Sequence, residues 1–125
     1  MIDHMTFRVA DIERAKSFYS AALAPLGYVA AYDAVHDGVR VLGFASNSKI
    51  DTWFVSAPES TTRCHLAWRA ESRASVDAFH AAVVAAGGTD NGAPGPRPHY
   101  HPGYYGAFVI DPEGNNIEAV FHAPD

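Results

Sequence analysis

His4, His65 and Glu118 are residue types that hold a divalent metal, and sliding the chain 61 positions along itself lays His4 on His65. Two imidazoles and one carboxylate can fill one face of a coordination shell and leave open positions for water or a substrate. The set suits Zn, Ni, Co, Mn or Fe(II) and does not choose among them. A metal held this way stabilises negative charge that develops on substrate oxygens, while a nearby side chain moves a proton.

These residues are positioned by a repeat. Residues 3–28 align without a gap on residues 64–89, so that Arg8 meets Arg69, Phe18 meets Phe79, Ala21 meets Ala82 and Gly27 meets Gly88, with Met5 on Leu66 and Phe7 on Trp68. Each half is then one supersecondary unit, too small to bury a core without its twin. The expected organisation is a single domain over residues 1–125, with module one at about 1–60 and module two at about 61–125.

Within HMTFRV, His4, Thr6 and Arg8 share one face of a strand while Met5, Phe7 and Val9 share the other. HLAWRA repeats the pattern from His65 to Ala70. Asp11 can cap a helix running to about Ala24, with Ile12, Ala15, Tyr19, Ala22 and Leu23 on its apolar stripe. Ser72 can cap the counterpart, whose Val76, Phe79, Val83 and Ala86 face inward before Gly87 and Gly88 end it. Strand patterns follow at about 28–34, 39–45 and 50–56 in the first half, and at about 105–110 and 116–121 in the second, with a Pro- and Gly-rich loop at 92–103. The order is βαβββ twice, an α+β fold with helices on one face of mixed sheets. Glu118 alternates with Ile117 and Ala119, which places it on the face away from the helix, as for His4 and His65.

Composition narrows the function classes. A net charge of −5, with Lys16 and Lys49 as the only lysines and no basic cluster, argues against nucleic-acid or anionic-membrane partners. No apolar run is long enough to span a bilayer, and the N-terminus lacks the pattern of a signal peptide. Cys64 has no partner cysteine, so the expectation is a cytoplasmic protein with a small-molecule substrate and a buried, inert thiol.

The segments DHMTFRV, CHLAWRA and HPGYYGAFVIDPEGNNIEAVFH resemble the vicinal oxygen chelate superfamily, which includes glyoxalase I, extradiol dioxygenases, fosfomycin-resistance enzymes and bleomycin-binding proteins. The resemblance implies paired βαβββ modules curled into a cup-shaped mixed sheet with outer helices, ligands at His4, His65 and Glu118, and a homodimer. Glyoxalase I has a fourth carboxylate ligand on the last strand of its first module. Here that strand is KIDTWFV, and one alignment offers Asp51 as the twin of Glu118 while a shift of two offers Trp53, which cannot ligate.

Around the triad, Tyr105 is expected to hydrogen-bond a metal-bound oxygen, and Glu118 to act as ligand or base. His101 and Tyr104, in the aromatic loop, and Arg69, on the ligand face, complete a substrate pocket with Asp51 and Trp53. His36 and His80 have a plainer reading as solvent-exposed side chains, and His122 as a terminal one. The implied activity is lyase- or isomerase-type proton transfer on a substrate that chelates the metal through neighbouring oxygens. Its rivals are an Fe(II) extradiol dioxygenase and a drug-binding or resistance protein without turnover.

Overall fold

The hydrophobic alternation of the first strand is met directly: Phe7 and Val9 are buried while Thr6 and Arg8 are exposed. The computed structural model describes residues 1–124. Its elements are β1 (Met5–Val9), α1 (Ile12–Leu23), a short 3-10 turn (Ala24–Leu26), β2 (Val29–His36), β3 (Val39–Ser46), β4 (Lys49–Ser56), β5 (His65–Arg69), α2 (Arg73–Ala85), β6 (Thr89–Pro96), β7 (Tyr104–Ile110) and β8 (Asn116–His122). They form two four-stranded sheets, ordered β1-β4-β3-β2 and β5-β8-β7-β6. In each, the first strand runs parallel to the last and the other pairs are antiparallel, the expected tandem βαβββ plan. Among the described residues, no helix is long and apolar enough to cross a membrane.

Both helices start where their caps predict. The Asp11 carboxylate accepts the Arg14 N–H at 3.0 Å and the Ser72 hydroxyl accepts the Ser75 N–H at 3.0 Å, each satisfying a donor that the first turn leaves without an intrahelical partner. Ala86 departs from expectation. The second helix closes at Ala85, so Ala86 caps it and lies exposed before Gly87 turns left-handed at φ +109°.

The two modules share one core on the helix side of their sheets. Phe7, Phe18, Tyr19 and Phe54 of the first join Trp68, Val76, Phe79, Val109 and Ile117 of the second. The Tyr19 ring packs 4.4 Å from Phe54 and 6.2 Å from Trp68, and its hydroxyl donates to Asp111 in the β7–β8 turn. Trp68 donates its indole N–H to the buried Thr52 hydroxyl at 3.2 Å, another tie across the modules. Truncating the fully buried Phe79 to alanine costs about 3–5 kcal/mol at such sites.

The sixth strand extends into the stretch expected to be a loop. It pairs with β7 through two register shifts, and its Pro94 and Pro96 are tolerated because it is an edge strand that need not donate every N–H.

Candidate metal centre

On the face of the second sheet that points away from the helices, β5 and β8 run parallel and place His65 beside Glu118. His65 Nε2 stands 3.0 Å from Glu118 Oε1. The other ring nitrogen, Nδ1, lies 3.1 Å from the Asn116 carbonyl oxygen. A carbonyl only accepts, so Nδ1 carries the proton and Nε2 presents its lone pair towards the carboxylate. Two acceptors this close are held together either by a second proton on the imidazole or by a cation between them. Ligands about 2.1 Å from a metal and at right angles stand about 3.0 Å apart, so the pair has the spacing of neighbouring metal ligands. Its protonated Nδ1 on a carbonyl is the orientation that histidine ligands need.

Glu118 is 1% exposed, an ionisable group almost removed from water, whereas the His65 side chain is half exposed. The Tyr104 hydroxyl donates to the other carboxylate oxygen, Oε2. Burial, then the facing carboxylate, push the Tyr104 phenol well above its ordinary range, so it keeps its proton at neutral pH. Gly106 makes this contact possible, because a β-carbon there would sit 3.1 Å from Glu118 Oε2 and 3.1 Å from the Tyr104 ring.

A stack buttresses the histidine. Phe108 lies 6.0 Å from the His65 ring at 22°, and the Arg97 guanidinium covers Phe108 at 5.5 Å. Arg97 is fixed by the carbonyls of Ala93 at 2.7 Å and Gly95 at 2.9 Å. The Phe108 role was missed in the sequence, although its hairpin register opposite Glu118 would have exposed it.

Tyr105, expected near the metal, faces the other way. Alternation along β7 sends its hydroxyl to Asp77 on α2 at 2.7 Å with Arg73 over its ring, and Tyr104 occupies the place beside Glu118. His101 reaches the rim of the same face, where its Nε2 lies 3.1 Å from His122 Nδ1 and both rings pack edge-on to Tyr104. Arg69 is exposed at the end of β5, opposite Val120. Cys64 is half-buried, its N–H donating to the Asn115 side chain.

His4 is elsewhere. It is exposed, with Nδ1 2.7 Å from Asp3 Oδ1, at one end of a pocket of about 410 Å³ on the first sheet. Hydrogen bonds from His4 and then from Lys49 hold the Asp3 carboxyl below its usual range. Among the described residues, no three His, Cys, Asp or Glu side chains gather as a metal cluster. One chain therefore brings His65 to Glu118 without His4.

The strand registers decide between Asp51 and Trp53. Met5 pairs with Thr52 and Thr6 with Trp53, while Leu66 pairs with Ile117 and Ala67 with Glu118. Met5 and Leu66 are twins in the repeat, so Trp53 occupies the position of Glu118. Asp51 falls at a register shift between β3 and β4, is absent from the pocket lining, and accepts bonds from Tyr28 at 2.9 Å and Thr52 at 2.9 Å. His36 is exposed, whereas His80 is partly buried and bonded to Asp90 at 2.9 Å rather than free in solvent.

Similarity to known proteins agrees with this architecture. The crystal structure of a glyoxalase/bleomycin resistance protein from Albidiferax ferrireducens T118 is similar, at 30% identity, with 98% of this chain and 99% of that one covered and a TM-score of 0.75. A glyoxalase/bleomycin resistance protein/dioxygenase domain from Frankia sp. EAN1pec shares the fold at 14% identity, 98% coverage of both chains and a TM-score of 0.75. Glyoxalase I from Zea mays matches at 18% identity and a TM-score of 0.73, with 99% of this chain spanning 45% of that one. No curated protein matches. The profile of the Glyoxalase/Bleomycin resistance protein/Dioxygenase superfamily matches residues 1–119, and the chain belongs to that superfamily.

Proposed function

We propose that the protein is a metal-dependent enzyme acting on a small molecule with two neighbouring oxygens, by proton transfer of the lyase or isomerase type. The observation that carries this reading is the 3.0 Å approach of His65 Nε2 to the buried Glu118 carboxylate, with His65 Nδ1 already committed to a carbonyl. His65 and Glu118 would hold the ion from module two. His4 of a second copy would complete the set, because a twofold dimer that faces module one of each chain with module two of the other makes two equivalent sites. The exposure of His4 and His65 on separate modules supports that arrangement.

A divalent ion held there would supply Lewis acidity to the substrate and stabilise negative charge that develops on its oxygens. The chain's own groups handle the proton. Glu118 would accept the proton at Oε1, the oxygen that would leave the ion, while the Tyr104 hydroxyl stays on Oε2. Tyr104 stays protonated and acts as a donor, steadying the carboxylate before transfer and orienting it afterwards. Phe108 and the pinned Arg97 keep the His65 ring from turning away.

The test is elemental analysis of protein purified without chelator or affinity-tag metal, alongside His65→Ala and Glu118→Ala. Near one metal per chain, lost in both variants, is expected; no metal and no uptake on titration would refute the reading. Turnover should persist anaerobically with zinc or nickel, and a strict requirement for dioxygen would move the chemistry to the dioxygenase alternative.

A further inference from the structure

The repeat makes one substitution that bears on the substrate. In module two, Phe108 of β7 lies opposite Glu118 of β8; in module one, Gly43 of β3 lies opposite Trp53 of β4. The large side chain has changed strands, and the carboxylate's place has passed to an indole. A β-carbon at Gly43 would stand 2.8 Å from Trp53 Cζ3 and 3.0 Å from Ile50. The indole therefore lies against the bare backbone of β3, and the missing side chain lets it form a floor. Tyr32 meets it edge-on at 5.6 Å, with the planes 71° apart, and holds it down from the side.

Above this floor is the pocket of about 410 Å³, a size suited to a small organic ligand. Its walls are Val41, Ile50 and Val55, and its polar end carries Thr6, His4 and Lys49 together with Asp3, whose carboxylate lies 2.7 Å from His4 Nδ1 and accepts from Lys49 at 3.0 Å. We infer that Trp53 is a stacking platform that selects substrates built on a planar unsaturated ring bearing the two neighbouring oxygens. The ring lies on the indole face and the oxygens point to the polar end. An aliphatic chain would fill the same walls without using the flat surface, whereas a planar ring gains offset π contact in addition to its buried area.

This inference rests on the proposed site for the placement of the oxygens, and its test separates the two. Naphthalene-2,3-diol and its saturated counterpart decalin-2,3-diol carry the same neighbouring oxygens on a flat and a puckered frame. Titration calorimetry with the protein as purified should give tighter binding of the flat probe by about three- to tenfold. The ratio should fall to about one in Trp53→Leu and persist in Trp53→Phe. Glu118→Ala should weaken both probes alike and leave the ratio intact if it holds metal, and should leave both affinities unchanged if the metal reading fails while the platform stands. A ratio near one in the parent, an unchanged ratio in Trp53→Leu, or no binding of either probe overturns the platform.

Discussion

Replacing Gly43 by alanine should force the indole of Trp53 off the sheet. The new methyl group would lie 2.8 Å from Cζ3 and 3.0 to 3.1 Å from two Ile50 carbons, against ordinary contacts beginning near 3.4 Å. The backbone at Gly43 is not left-handed, so alanine brings no conformational strain and relieves unfolded-state entropy by about 0.4–1 kcal/mol. Overpacking of a well-filled site costs about 1–3 kcal/mol, which leaves a net loss of about 0.5–2 kcal/mol. For a chain of this length that is a fall in Tm of several degrees. The indole accounts for the closest contact, so the loss should shrink or reverse in a Trp53→Ala background. The coupling energy from the four-protein cycle should be at least about 0.5 kcal/mol. Urea unfolding followed by circular dichroism measures all four stabilities independently of tryptophan emission. A Gly43→Ala variant as stable as the parent, or equally destabilised with and without Trp53, would refute the packing of the indole over β3.

Three further outcomes are expected. Tyr104→Phe removes a hydrogen bond to a carboxylate worth about 1.5–3 kcal/mol and should slow turnover about 10- to 100-fold, whereas Tyr105→Phe, whose hydroxyl serves Asp77, should stay within about twofold in steady-state assays. Gly106→Ala wedges a methyl group between Tyr104 and Glu118, so it should reproduce most of the Tyr104→Phe defect, and its effect should largely vanish in the Tyr104→Phe background. The buried Tyr19 and the half-buried Tyr28 titrate above their ordinary value, chiefly through burial and then through Asp111 and Asp51. Unfolded tyrosines lose protons first, from about pH 10, so stability is full below that pH and falls as pH rises above it; thermal melts should show a shallower alkaline fall for Tyr19→Phe.

Much of this was legible because burial has a period. Strand alternation placed Phe7, Val9 and Trp68 in the core and left His4 and His65 on the opposite faces, and the caps Asp11 and Ser72 marked both helix starts. The 61-residue shift carried the βαβββ plan from one half to the other. What stayed open or went wrong turned on single-residue register. A register shift at Asp51 cannot be seen in KIDTWFV, yet it decides that Trp53 and not Asp51 is the twin of Glu118. Two adjacent tyrosines point to opposite faces of β7, and only the strand pairing with β8 says which one reaches Glu118. The sixth strand hid behind prolines that an edge position tolerates. The separation of His4 from His65 and Glu118 depends on how the two modules pack, which local periodicity does not encode.

The central claim is that two copies of the chain each supply part of one metal centre, and complementation tests it directly. His4→Ala and Glu118→Ala are purified separately without metal, mixed under conditions that allow subunits to exchange, loaded with zinc and analysed for metal per chain. Each variant alone should remain nearly empty. After random exchange, half the dimers are mixed and one of the two sites in each escapes both substitutions, so about a quarter of all sites should fill. Metal that appears only after mixing, near that fraction, is the predicted result. A mixture as empty as its components, with the parent fully loaded, would contradict a centre shared between chains.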